Sequence, residues 1–116
     1  MVISKNTNLS IFHDAEIGLV EYDYMHKTIH INLTLNCLLA FASLLTLNGL
    51  SNNSKAVLTG LKTSHIYFQS LEPWGTGKYI NQVEIDEKQE NQEITIQFNS
   101  GDTFKIIAKS FELQGK

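Results

Sequence analysis

Residues 28–35 read TIHINLTL. Ile29, Ile31, Leu33 and Leu35 alternate with Thr28, His30, Asn32 and Thr34. Successive side chains of a strand point to opposite faces, so a period of two means one face on a core and one in water. This is the clearest periodicity in the chain, and it sets the expected fold class as β.

Upstream, AEIGLVEYDY at 15–24 also reads as a strand. Its apolar set changes parity, from Ala15, Ile17 and Leu19 to Val20, Tyr22 and Tyr24. A parity change inside one strand predicts a bulge, and Gly18 is the place for it. Residues 25–27, MHK, then form the hairpin loop.

Downstream, NCLLAFASLLTLNGL at 36–50 is apolar on all sides. Leu38, Phe41, Ala42 and Leu45 share a helical face, with Asn36 as N-cap and Gly49 as C-cap. A short helix near 37–48 is expected, with a buried strand as its alternative. Strand character returns in AVLTGL at 56–61, HIYFQ at 65–69 and YINQVEI at 79–85. The polar run DEKQENQE at 86–93 reads as an exposed loop. EITIQF, the turn NSGD and TFKIIAKSFEL make a closing hairpin, because Gly101 tolerates the positive φ of a tight turn. Phe104, Ile106 and Ala108 share one parity while Phe111 and Leu113 take the other, which predicts a second bulge near Lys109–Ser110.

The expected fold is therefore mainly β: an antiparallel sandwich or partly open barrel of six to eight strands, with one short helix near 37–48. An α+β arrangement is the alternative.

A chain of 116 residues fits one domain, 1–116, that buries roughly two-thirds of its unfolded surface. Its composition, 42% hydrophobic and 18% charged, is that of a globular protein. All nine basic residues are lysine and the net charge is −3. Arginine supplies the planar fork for phosphates and base edges, so a nucleic-acid partner is not expected. The longest apolar stretch, 37–47, is too short to span a bilayer, so no membrane partner is expected. The opening MVISKNTNLS lacks a basic segment followed by an apolar run and does not read as a secretory signal. Cys37 has no partner for an intrachain disulfide, which favours a reducing, cytoplasmic setting.

Two stretches carry candidate functional residues. FHDAEI at 12–17 sets His13, Asp14 and Glu16 within four positions. As a metal site they would need His26, His30 or His65 to complete the shell. As an acid–base pair, Asp14 and Glu16 would need a pocket. The plainer alternative is that Asp14 turns the chain into the strand while His13 satisfies a backbone carbonyl. LEPWGTGKYIN at 71–81 holds the only proline and the only tryptophan. Trp74 either plugs the turn permitted by Gly75 and Gly77 or stands out beside Tyr79 as a contact anchor. There is no glycine-rich phosphate loop and no Gly-x-Ser-x-Gly elbow, and Cys37 sits in an apolar run as a buried thiol. No cofactor, metal or catalytic residue is assigned.

FHDAEIGLVEYD resembles the opening strand of small, uncharacterised bacterial β-rich domains that include immunity-type proteins of polymorphic toxin systems. PWGTGKYIN is similar to a Trp-Gly motif in some of them, with Thr76 and Gly77 standing where they have a proline and a serine. SGDTFKIIAKSFEL is similar to their closing hairpin. The resemblance spans about a third of the chain, and implies a small cytoplasmic protein that binds another protein, with no established catalysis. It places interest on His13, Asp14, Glu16, Trp74 and Gly75. The expected function is thus a non-enzymatic interaction domain, immunity-like in inhibiting its partner. One rival is a small ligand-binding or hydrolytic β-barrel using His13, Asp14 and Glu16. A second is a subunit that forms a homodimer through an edge strand such as 28–35.

Overall fold

A computed structural model describes residues 1–36, 42–51, 53–69 and 79–116. The predicted segment at 37–41, Cys37 included, and the Trp74–Gly75 motif lie outside these residues, so Asn36, the expected N-cap, is described but the helix start expected to follow it is not.

Nine strands are present among the described residues: β1 Val2–Ile3, β2 Glu16–Asp23, β3 Thr28–Thr34, β4 Lys55–Leu61, β5 His65–Gln69, β6 Ile80–Lys88, β7 Asn91–Phe98, β8 Thr103–Ala108 and β9 Ser110–Gly115. A 3₁₀ turn, Leu9–Phe12, precedes β2, and a helix α1, Ala42–Leu47, lies between β3 and β4. The strands form two antiparallel sheets, ordered β1-β9-β4-β3-β2 and β5-β8-β7-β6. This is the sandwich of the two architectures expected, with more strands than the six to eight predicted. β1 is too short to carry a periodic signal, and the segment 103–113 divides into two strands.

The inner faces follow the alternation. Ile29, Ile31, Leu33, Ala56 and Leu58 meet Ile94, Ile96, Phe104, Ile106 and Ala108 in one core. Phe12, Phe111 and Ile3 are fully buried within it. β3 lies between β2 and β4, so both of its edges are hydrogen-bonded. The expectation that 28–35 offers a free edge is overturned: its low charge suits a central strand.

The parity change in β2 is a bulge, with the register against β3 shifting between Ile17 and Val20. The Asn32 amide fills it, donating from Nδ2 to the Leu19 carbonyl at 2.8 Å and accepting from Lys116 Nζ at 2.7 Å. At the other end of β2 the turn is organised by Asp23. Its carboxylate accepts from the Met25 and His26 amides and lies 2.7 Å from His26 Nδ1. The His26 ring is the main reason that the Asp23 carboxyl is held below the usual carboxylate range.

The second parity change has a different cause. At Lys109 the chain leaves one sheet for the other, so β8 and β9 present their apolar sides to the core from opposite layers. The corner is held by Lys109 N–H donating to the Leu61 carbonyl at 2.9 Å and Ser64 N–H donating to that of Ile107 at 2.8 Å.

Residues 86–93 are not a loop. β6 and β7 continue to Lys88 and Asn91, leaving only Gln89 and Glu90 at the turn. Charge pairing across the strands explains why so polar a stretch holds the ladder. Lys88 Nζ lies 3.1 Å from Glu93 and 3.6 Å from Asp86, and Lys105 Nζ from β8 is 3.1 Å from the same Glu93. Glu93 is only 13% exposed. The Lys105 and Lys88 ammonium groups hold its carboxyl below the usual range, while Glu93 raises Lys88. A carboxyl with a lowered folded pKa stabilises above its unfolded value, and the contribution is lost as pH falls through the folded value. Glu93→Gln is therefore expected to cost about 1 kcal/mol at neutral pH. The gap from the parent should close as the pH is brought below the carboxylate range. Thermal melts of both proteins from neutral to acid pH check this, and a pH-independent gap would contradict it.

The helix ends as its sequence predicts. Gly49 has φ +72°. Leu50 N–H donates to the Leu45 carbonyl at 2.8 Å and Gly49 N–H to that of Thr46 at 3.1 Å. This is a Schellman cap, completed by burial of both Leu45 and Leu50 in the core.

Candidate functional site

The 3₁₀ turn brings His13 and Asp14 to the seam where β2 approaches β6. Asp14 has φ 61°, in the left-handed region that aspartate tolerates better than most residues. Its N–H donates to the Ile80 carbonyl at 2.8 Å, and Ile80 N–H donates to the Ala15 carbonyl at 2.9 Å. A lone bridge, Glu16 to Tyr79, continues the seam. Asp14 thus turns the chain out of the 3₁₀ turn and onto β2, and the seam ties the two sheets at this edge. A β-branched residue cannot take that backbone without strain. Asp14→Val is expected to lower the unfolding free energy by about 1–2 kcal/mol, with Asp14→Gly close to neutral. Urea denaturation of the two variants separates this from loss of the carboxylate, which both share.

His13 Nδ1 donates to the Asn81 carbonyl at 2.7 Å, because a carbonyl can only accept. Its Nε2 stands 3.6 Å from Asp14 Oδ2, and both side chains are about half exposed, 46% and 49%. His13 lies on an open groove of ≈ 400 Å³ between the 3₁₀ turn and β6. Glu16 lies on a different groove, of ≈ 340 Å³, with Asn32, Lys55 and Lys116. The three residues singled out by spacing are therefore divided: His13 and Asp14 meet, and Glu16 faces elsewhere.

The histidines proposed to complete a metal shell are engaged apart from them. His26 pairs with Asp23, His30 Nδ1 lies 3.4 Å from Thr59 Oγ1, and His65 Nδ1 lies 3.1 Å from Ser64 Oγ. Among the described residues no three His, Cys, Asp or Glu side chains are placed to hold a metal ion. The His13–Asp14 contact is half exposed and stands on an open groove. Tyr79, the remaining described candidate, is 49% exposed beside the seam.

The feature that residue spacing did not single out is β5. Its five residues, HIYFQ, are all exposed, with Ile66 at 40%, Tyr67 at 51% and Phe68 at 55%. Register with β8 puts Ile66 and Phe68 on the side of Ile106 and Phe104, and Tyr67 on the side of Lys105. Phe68 packs edge-on to Phe104, and Tyr67 stacks on His65, with ring centroids 5.8 Å apart in each pair. β5 pairs only with β8 among the described residues, so its other side is a sheet edge.

Among the described residues, the other three edges carry features that blunt pairing. β1 is two residues long. β2 is bulged and carries Glu16, Glu21 and Asp23. β6 carries Glu84, Asp86, Glu87 and Lys88. β5 has no acidic or lysine side chain, no proline and no register shift. A clue was present in the sequence: among the described residues HIYFQ is the one strand of five or more residues with neither acid nor lysine apart from 28–34, and that strand lies inside its sheet. Next to it, Thr63 N–H donates to the Lys27 carbonyl at 2.7 Å. This sets the β2–β3 turn, with Tyr24 and Met25 at 84% and 89% exposure, against the chain leading into β5.

Neither a protein-family model nor a curated protein matches this sequence. A solved structure of an uncharacterised protein from Neisseria gonorrhoeae is similar in fold, with a TM-score of 0.56 and 16% identity over 89% of this chain and 92% of that one. At that identity the likeness concerns the fold alone. No helix among the described residues is long and apolar enough to cross a membrane.

Proposed function

We propose that this protein is a non-enzymatic protein-interaction domain that takes a partner chain by strand addition along β5. The observation that carries the proposal is the contrast between β5, exposed and uncharged along its length, and the three other sheet edges, which are short, bulged or charged. Strand addition takes affinity from main-chain hydrogen bonds and specificity from alternate side chains. Here those side chains are Ile66 and Phe68 on one face and Tyr67 on the other.

The resemblance to immunity-type proteins supplies a finer version, in which the partner is inhibited by steric block. The lone cysteine suits a cytoplasmic, reducing setting for it. The experiment is site-specific photo-crosslinking in the source cell. A photoreactive residue in place of Tyr67 is expected to trap a protein adduct, whereas one in place of Glu84 on β6 traps none. Equal trapping at both positions, or none at Tyr67, would overturn strand addition at β5.

A further inference from the structure

We infer that the chain seated on β5 is a second copy of this protein, paired antiparallel about a two-fold axis through Tyr67. The inference rests on the strand-addition proposal and names its partner. An isologous contact must be self-complementary: whatever residue i meets, its partner residue meets i in return. Five residues centred on Tyr67 satisfy this. The two-fold sets Ile66 against the partner copy's equivalent of Phe68, His65 against that of Gln69, and Tyr67 against itself. The apolar pair stays on the face shared with Phe104 and Ile106, so each copy extends the other's half-covered apolar strip. Aromatic and β-branched cross-strand pairs are the favourable kind.

Charge allows the same arrangement. β5 itself brings no acidic or lysine side chain to the two-fold. The nearest lysine across the sheet, Lys105, is opposite Tyr67 and already paired with Glu93. Its equivalent in the second copy stands three strand spacings away, about 14 Å. That exceeds the Debye length of roughly 8 Å at physiological salt. Lys62, just before β5, falls at opposite ends of the paired strands. A chain of net charge −3 thus meets its own copy where like charges do not oppose one another. A paired edge of five residues is a small contact, so association in the micromolar range is expected.

The test uses the full chain. Light scattering on a concentration series from roughly 10 to 500 µM should show the mass rising from 13.1 kDa toward twice that value. Tyr67→Glu places two carboxylates opposite each other at the two-fold, but in the single chain faces Lys105. It should stay folded and associate at least about ten-fold more weakly. With Cys37 replaced by serine, Tyr67→Cys should form an intermolecular disulfide under mild oxidation, because residues directly opposite lie within disulfide reach. His65→Cys should not, being four residues out of register with its own copy. His65→Cys mixed with Gln69→Cys should crosslink. A chain that stays monomeric throughout, or a dimer indifferent to Tyr67→Glu, overturns the self-pairing. If the cellular crosslink from position 67 then traps a different protein, strand addition survives without self-pairing. If it traps nothing, both fall.

Discussion

Truncating Phe111 to alanine is expected to lower the unfolding free energy by about 3–5 kcal/mol. The side chain is fully buried. It sits on β9, the strand the chain reaches on changing sheets at Lys109, and its Cα is paired with Ile3 on one side and Gly60 on the other. Removing the ring therefore opens a cavity between β1 and β4 at the corner where the two layers join. Neighbouring side chains cannot collapse into it freely, because Ile3, Ile29 and Leu58 are themselves at most 1% exposed and held in ladders. Against a total stability of roughly 5–15 kcal/mol for a domain of this size, such a loss puts the variant near its unfolding midpoint or well down toward it. Urea denaturation followed by far-ultraviolet circular dichroism measures it. A loss below about 1.5 kcal/mol would mean that the ring does not fill the corner.

That corner also shows what was legible in the sequence. The change of apolar parity between Ala108 and Phe111 was visible, and its position near Lys109 was right. Its meaning was not, because a bulge and a change of sheet produce the same shift of parity. Only the partner strands tell them apart, and β8 pairs with β5 and β7 while β9 pairs with β1 and β4. At Gly18 the same signal did mean a bulge. There the strand keeps one partner on both sides of the shift.

The polar run 86–93 failed for a related reason. Its residues have poor strand propensity taken singly, but propensity in a sheet reports cross-strand pairing as much as backbone preference. Lys88, Glu93 and Lys105 come from three strands, and no local window contains their interaction. The candidate site divides in the same way. Asp14 and His13 are read correctly as chain-turning and carbonyl-satisfying because both jobs are local or nearly so. Glu16 was grouped with them by adjacency, yet in β2 it faces the groove of Lys55 and Lys116. The β5 edge depends on sheet order, which is a property of the whole chain. Its composition was readable; its place at an edge was not.

Replacing Gly60 by alanine gives an expected result whose sign opposes simple propensity. Glycine in a strand interior weakens it by about 0.5–1 kcal/mol relative to alanine, so propensity alone predicts a more stable protein. Packing predicts the reverse. A Cβ built on Gly60 would lie 2.8 Å from Ile29 Cγ2 and 2.9 Å from Phe111 Cε1. Those atoms belong to side chains that are 1% and 0% exposed, so neither swings aside into water. Overpacking of this kind costs about 2 kcal/mol for alanine and about 3 kcal/mol for valine, which outweighs the propensity gain. The clash also names its own remedy. Phe111→Leu withdraws the ring edge that faces Gly60, so the double variant Gly60→Ala, Phe111→Leu should lose less than the sum of the two single changes, by about 1 kcal/mol. Urea denaturation of the four proteins closes the cycle. Additive losses, or a Gly60→Ala protein at least as stable as its parent, would show that β4 does not approach Ile29 and Phe111 as closely as these distances require.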